Sequence, residues 1–185
     1  GLGDVYKRQA LSFLMITMGG FLFLWNKDAE SAREESRVVV YDGASGAKKN
    51  CPIYEFLGLE VLEAEDGVFK ALIPNTKASG NHIGIMHAGA LFSLGEFLGG
   101  LITARYLDNP RKFQPVVRDL KIDFKAPAMS DITATAYFTA EQAAEMNAKL
   151  EETGKYDFQQ KAVLTDEKGT IVAETLGCLL YTSPS

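Results

Sequence analysis

A chain of 185 residues is long enough to bury one full hydrophobic core and short for two, so a single folded domain is the default expectation. With 46% hydrophobic and 23% charged residues, the composition is that of an ordinary globular protein, which argues against disordered and fibrous classes. The formal net charge of -5 leaves no basic excess to displace counterions from phosphates, so no nucleic-acid partner is expected. Cys51 and Cys178 are far apart and lack a Cys-x-x-Cys spacing. Neither a disulfide framework nor a metal site is indicated, and a reducing compartment fits.

Both ends look foreign to the rest. Residues 1–9, GLGDVYKRQ, and the tail 181–185 resemble translated sequencing-adaptor read-through. On that reading Lys7 and Arg8 are not the basic flank of a secretory signal, although the uncharged run Ala10 to Trp25 imitates its apolar core. The run is shorter than the ~20 residues that span a bilayer, and Gly19-Gly20 interrupts it. The expectation for 10–50 is therefore an apolar N-terminal docking helix followed by a polar linker. No integral membrane insertion is expected, and the location is expected to be cytoplasmic.

From Cys51 the pattern changes to alternation around Leu59 and Val61. Asp66-Gly67 then separates it from a second run, Val68 to Ile73, which is a hairpin signal. Met86 to Leu107 contains no proline, is apolar on nearly every side, and predicts a long buried helix. Gly89, Gly95, Gly99 and Gly100 lower its helix propensity, so something is expected to pack close to its backbone. Asp108-Asn109-Pro110 ends it. Val116 to Ala126 then alternates, with Leu120, Ile122 and Phe124 on one face and Lys121, Asp123 and Lys125 on the other, as in a half-buried strand. Ile132 to Phe138 repeats the alternation. Glu141 to Thr153 reads as a helix with Gly154 at its C-cap, and two last strands, Tyr156 to Thr165 and Thr170 to Leu179, flank the turn at 166–169. Successive strands on short turns pair antiparallel, and a lone helix among them must be covered by one curved sheet. The expectation is an α+β domain over 51–180, a long central helix wrapped by about six antiparallel strands, with an additional N-terminal helix.

The segment Gly80 to Gly100, GNHIGIMHAGALFSLGEFLGG, carries the chemistry. Asn81, His87 six residues on and Glu96 nine further on match the pattern of the hotdog-fold acyl-CoA thioesterase superfamily, in its PaaI-like branch. The segment is closer still to a subgroup catalogued as a domain of unknown function. The resemblance implies a hotdog fold, hydrolysis of acyl-CoA without metal or organic cofactor, and a homodimer or dimer of dimers with sites shared between subunits. Its site would comprise Asn81, the His87-Ala88-Gly89 turn and Glu96. Where some relatives carry a Ser or Thr after the helix, this chain has Val116-Val117-Arg118.

The residue types suit that chemistry independently. A thioester carbonyl needs donors for developing negative charge, and the amides of Ala88 and Gly89 lie at a helix N-terminus. A carboxylate on an apolar helix, Glu96, can serve as general base or nucleophile, or else as a structural buried group. His87 fits either proton transfer or a ring that holds the turn, and Asn81 either a turn residue or a group that positions carbonyl or water. Positions nine apart on a helix differ by about 900°, half a turn off, and by ~13 Å along the axis. His87 and Glu96 of one chain therefore face apart, and one substrate can meet both only if a second copy supplies one of them. Arg118, Lys121 and Lys125 are candidates for coenzyme A phosphates. The alternative function is a non-catalytic acyl-CoA binding or regulatory protein of the same fold.

Overall fold

The computed structural model describes residues 51–182, with the side chains of Gln114 and residues 180–182 left aside. The expected N-terminal helix, the linker to residue 50, the adaptor-like segment 1–9 and residues 183–185 of the adaptor-like tail 181–185 lie outside the described residues. In chain order the elements are α1 (Pro52–Phe56), β1 (Glu60–Glu65), β2 (Val68–Ile73), α2 (Ala88–Tyr106), β3 (Gln114–Phe124), β4 (Ile132–Tyr137), α3 (Ala140–Thr153), β5 (Lys155–Thr165) and β6 (Ile171–Thr182). The strands form one antiparallel sheet in the order β1-β2-β4-β5-β6-β3. Among the described residues no helix is long and apolar enough to cross a membrane.

Local chemistry explains most of the boundaries. Asp66 and Gly67 both take positive φ, 49° and 78°, which is what a tight hairpin between β1 and β2 requires. Thr139 and Gln142 form a reciprocal capping box at the start of α3, and Gly154 ends it in the left-handed region. One element escaped the sequence reading. Pro52, in the first turn of α1 with its missing N–H, opens a single helical turn too short to show a period.

The sheet wraps α2 and its inward faces are small where the helix lies. Ala71, Ala134, Ala136 and Ala162 are fully buried and bring β2, β4 and β5 close to the helix. Of the four glycines expected to permit close packing, Gly95 and Gly99 do so on the β5–β6 side, whereas a Cβ on Gly100 would meet nothing within 4 Å and one on Gly89 would meet only the His87 ring. A Cβ on Gly95 would lie 2.5 Å from Thr175 Cγ2, and one on Gly99 would lie 2.9 Å from both Gln160 Oε1 and the Leu179 methyls. Leu94, Phe97, Leu98, Leu101 and Ile102 fill the remaining core.

The first strand after α2 departs from the expected pattern. It runs from Gln114 to Phe124, two residues earlier than expected, and its register shifts between Val117 and Asp119. Leu120 and Ile122 are half-buried, whereas Phe124, expected on the same buried face, is 52% exposed. β3 is an edge strand, and Phe124 stands at its end, next to a cleft rather than beneath the helix.

Candidate functional site

Two loops build the mouth of α2. The segment before the helix is tied internally by the buried Ser79, whose hydroxyl donates to Pro74 O and accepts from Thr76 N, while its carbonyl accepts from His87 N. It is stapled to the loop after β3 by Met86 N donating to Ala128 O at 2.9 Å and by Asn75, which donates to Asp131 Oδ1 and Met129 O. Between the loops lies a cleft of about 430 Å³, whose lining includes Asn81, Ala88, Leu91, Phe124, Lys125 and Pro127.

Within this mouth the helix N-terminus is nearly satisfied. His87 is the N-cap, and its Nδ1 accepts from Gly89 N at 2.9 Å, which leaves the proton of a neutral ring on Nε2. Ala90 and Leu91 N–H both donate to His87 O. Ala88, the first helical residue, is the exception: its N–H has no acceptor among the described residues, and the residue is exposed in the cleft. Gly89, expected as a second donor, is engaged by the His87 ring. Asn81 has a split role. Its Oδ1 accepts from Ile83 N and Ile85 N and so shapes the loop, while its side-chain NH2 has no partner among the described residues.

Glu96 is not in the cleft. It lies eight residues along α2 from Ala88, ~12 Å at helical rise, half-buried in a separate small cavity with Gly95, Val117, Leu120, Gln160, Gly177 and Leu179. One of its oxygens, Oε2, accepts a hydrogen bond from the Tyr54 hydroxyl. Tyr54 is 9% exposed and packs edge-on against Phe97 at 4.9 Å, so α1 anchors the carboxylate from a site 42 residues away. Sequence reasoning missed Tyr54, whose one-turn helix carries no periodic signal. It also passed over Gln160, although the inward positions of β5 read Tyr156, Phe158, Gln160, Ala162 and Leu164, with one amide among apolar groups.

The three cationic candidates separate in the same way. Lys125 lines the cleft and pairs with Glu174 at 3.5 Å, and Lys161 pairs with the same carboxylate at 3.1 Å. Glu174 is accordingly held below the usual carboxylate range, first by the Lys161 hydrogen bond and charge and then by Lys125. Arg118 and Lys121 lie outside the cleft, on β3. Arg118 bridges Asp157, Asp119 and the Cys178 sulfur, and its pKa is raised, chiefly by the hydrogen bond to Asp119. Lys121 pairs with Asp123 at 3.2 Å. Cys51 and Cys178 are both free thiols.

A curved six-stranded antiparallel sheet around one long helix, with an Asn-loop and an open helix N-terminus at one end of the motif and a carboxylate in mid-helix, is the hotdog fold of the PaaI-like thioesterases. The chain belongs to the family described as Domain of unknown function (DUF4442), which matches residues 45–177. Among solved structures it is similar to a Pseudomonas aeruginosa protein of unknown function described as "Probable Thioesterase", at 30% identity and a TM-score of 0.69, over 82% of this chain and 96% of that one. A thioesterase from Staphylococcus aureus is 21% identical with a TM-score of 0.59, covering 72% of this chain and all of that one. The Escherichia coli PaaI protein of the phenylacetic acid degradation operon is 19% identical with a TM-score of 0.57, over 79% and 94%. No curated protein matches the chain.

Proposed function

We propose that this protein hydrolyses acyl-CoA thioesters to the free acid and coenzyme A, without metal or organic cofactor, at sites completed across a homodimer. The observation that carries the reading is the Ala88 N–H of α2, which has no acceptor among the described residues and belongs to a residue lining the same cleft as Asn81, whose NH2 has no partner among them either. Two donors lining one cleft suit the oxyanion that forms when a thioester carbonyl is attacked. Lys125 at the cleft wall suits a phosphate of the coenzyme, with Arg118 and Lys121 as weaker candidates on the strand behind. Glu96 supplies the base or nucleophile.

Because Glu96 of the same chain is ~12 Å away along the helix, the reading requires a second copy. The surface of α2 supports one: Phe92 is 39% exposed and a Cβ on Gly100 would meet nothing within 4 Å. So does the open edge of β3, where Val116 and Val117 are 53% and 38% exposed. A two-fold axis perpendicular to α2, which sets the two helices antiparallel side by side, would bring each Glu96 toward the partner's cleft. The free thiols suit a cytoplasmic, reducing setting.

Thiol release from a panel of acyl-CoAs tests the assignment, with Glu96→Gln assayed beside the unaltered protein. Loss of the base lowers kcat by about 10²- to 10⁴-fold; equal rates for the two proteins would remove Glu96 from the mechanism. A second reading, a non-catalytic acyl-CoA binding protein, draws on Val117, which lines the Glu96 cavity without a hydroxyl. Tight binding of acyl-CoA with no thiol release at any chain length would favour it.

A further inference from the structure

The Glu96 cavity contains a polar group that neither the motif nor the proposed mechanism uses. Gln160 is 6% exposed, points inward from β5 beneath Gly99, and its amide has no hydrogen-bond partner among the described residues. A buried amide left unpaired costs free energy comparable to a lost hydrogen bond, so its position needs a reason. Among the described residues no fully sealed side-chain nitrogen or oxygen lacks a partner. The Gln160 amide therefore faces accessible space, and the cavity it lines is the one shared with Glu96. The centre of a water molecule has about 10 Å³ in which to lie there, roughly the room that one water needs. The walls Leu120, Leu179, Gly95 and Gly177 provide no competing side-chain donor or acceptor.

We infer that Gln160 and Glu96 together hold the hydrolytic water, which makes Gln160 a catalytic residue and Glu96 a general base. The inference rests on the thioesterase reading above and assigns it a nucleophile. Tyr54 engages Glu96 Oε2, so Oε1 is the oxygen that takes the water proton. The Gln160 carboxamide engages the same water and aims its remaining lone pair out of the cavity past Val117, which is 38% exposed. The water oxygen bonds to the acyl carbon, its proton passes to Glu96, the carbon–sulfur bond breaks with its electron pair going to sulfur, and the proton then neutralises the coenzyme thiolate. An amide on β5 thereby takes the part that a Ser or Thr after the helix would otherwise play.

The test uses the full chain with Gln160→Met, which keeps length and volume and removes both polar atoms. Thiol release is measured at saturating acyl-CoA, with and without hydroxylamine as an alternative acyl acceptor, and hydroxamate and acid products are quantified. The expected result is a kcat lowered by roughly tenfold to a hundredfold, the worth of one hydrogen bond to a developing charge, with KM unchanged. Hydroxylamine attacks without the water site, so the ratio of hydroxamate to acid should rise in the variant. A merely structural lesion would lower both products equally, and that result, or an unchanged kcat, overturns the role of Gln160. Gln160→Leu serves as the second variant if Gln160→Met does not fold. No thiol release by the unaltered protein sinks the thioesterase reading itself, whereas an active protein with an inactive Glu96→Gln and a fully active Gln160→Met sinks the water site alone.

Discussion

The cleft at the mouth of α2 and the cavity at its middle are built in opposite ways. The cleft is wide, formed by two loops stapled through backbone hydrogen bonds, and its chief polar group is a backbone amide. The cavity is narrow, closed by a sheet that approaches the helix at glycine, and its polar groups are side chains. The cleft has space for a substrate and donors for an anion, but among the described residues that line it there is no carboxylate and no imidazole. The cavity has a carboxylate and an amide but no space for a substrate. On the proposed function each is half of a hydrolytic site, and the helix that carries both keeps them apart within one chain.

The cleft half is broken most directly by Ala88→Pro. Proline removes the Ala88 N–H, which has no acceptor among the described residues, at a position where a helix tolerates it, and His87, at φ -69° and ψ 140°, already has the extended backbone that must precede a proline. The expected outcome is a kcat lower by about 10²- to 10³-fold, the cost of one oxyanion donor, with helix content and melting temperature preserved. A kcat within twofold of the unaltered protein would show that the cleft does not stabilise the oxyanion.

The cavity half is more sensitive to packing. Gly95→Ala sets a methyl 2.5 Å from Thr175 Cγ2, a buried β-branched side chain with little rotamer freedom. Overpacking costs about 1–3 kcal/mol and outweighs the up to ~1 kcal/mol that Ala gains over Gly in a helix. Thermal unfolding should begin a few degrees lower, and adding Thr175→Ala, which removes both Cγ2 and the Oγ1 that would lie at 2.8 Å, should restore part of the loss. An unchanged melting temperature would mean that the sheet does not press on α2 as described.

The sequence made the cleft more legible than the cavity. Asn81, His87 and Ala88 lie within eight residues, and the resemblance to the hotdog thioesterases grouped them as parts of one site. The central helix, the Asp66-Gly67 hairpin and the Gly154 cap were equally local, since each is written in a period or a conformational preference. What escaped was tertiary. Tyr54 meets Glu96 across 42 residues, and a single helical turn carries no period that would flag it. Gln160 was visible as the polar member of an inward-facing apolar series, but nothing local says that it faces the carboxylate. Phe124 was misassigned to the core because alternation fixes a face of the strand but not whether anything covers that face at the sheet edge.

The central claim is that the two halves meet only between subunits, and subunit complementation tests it most directly. Glu96→Gln and Ala88→Pro chains carrying different tags are co-expressed, and the mixed dimer is isolated through both tags. Each parent dimer should be nearly inactive. In the mixed dimer, the Ala88 cleft of the first chain faces the intact Glu96 of the second, so one of two sites is whole and the account predicts about half of the unaltered activity. A mixed dimer no more active than its parents would contradict the shared site and return the chemistry to a single chain.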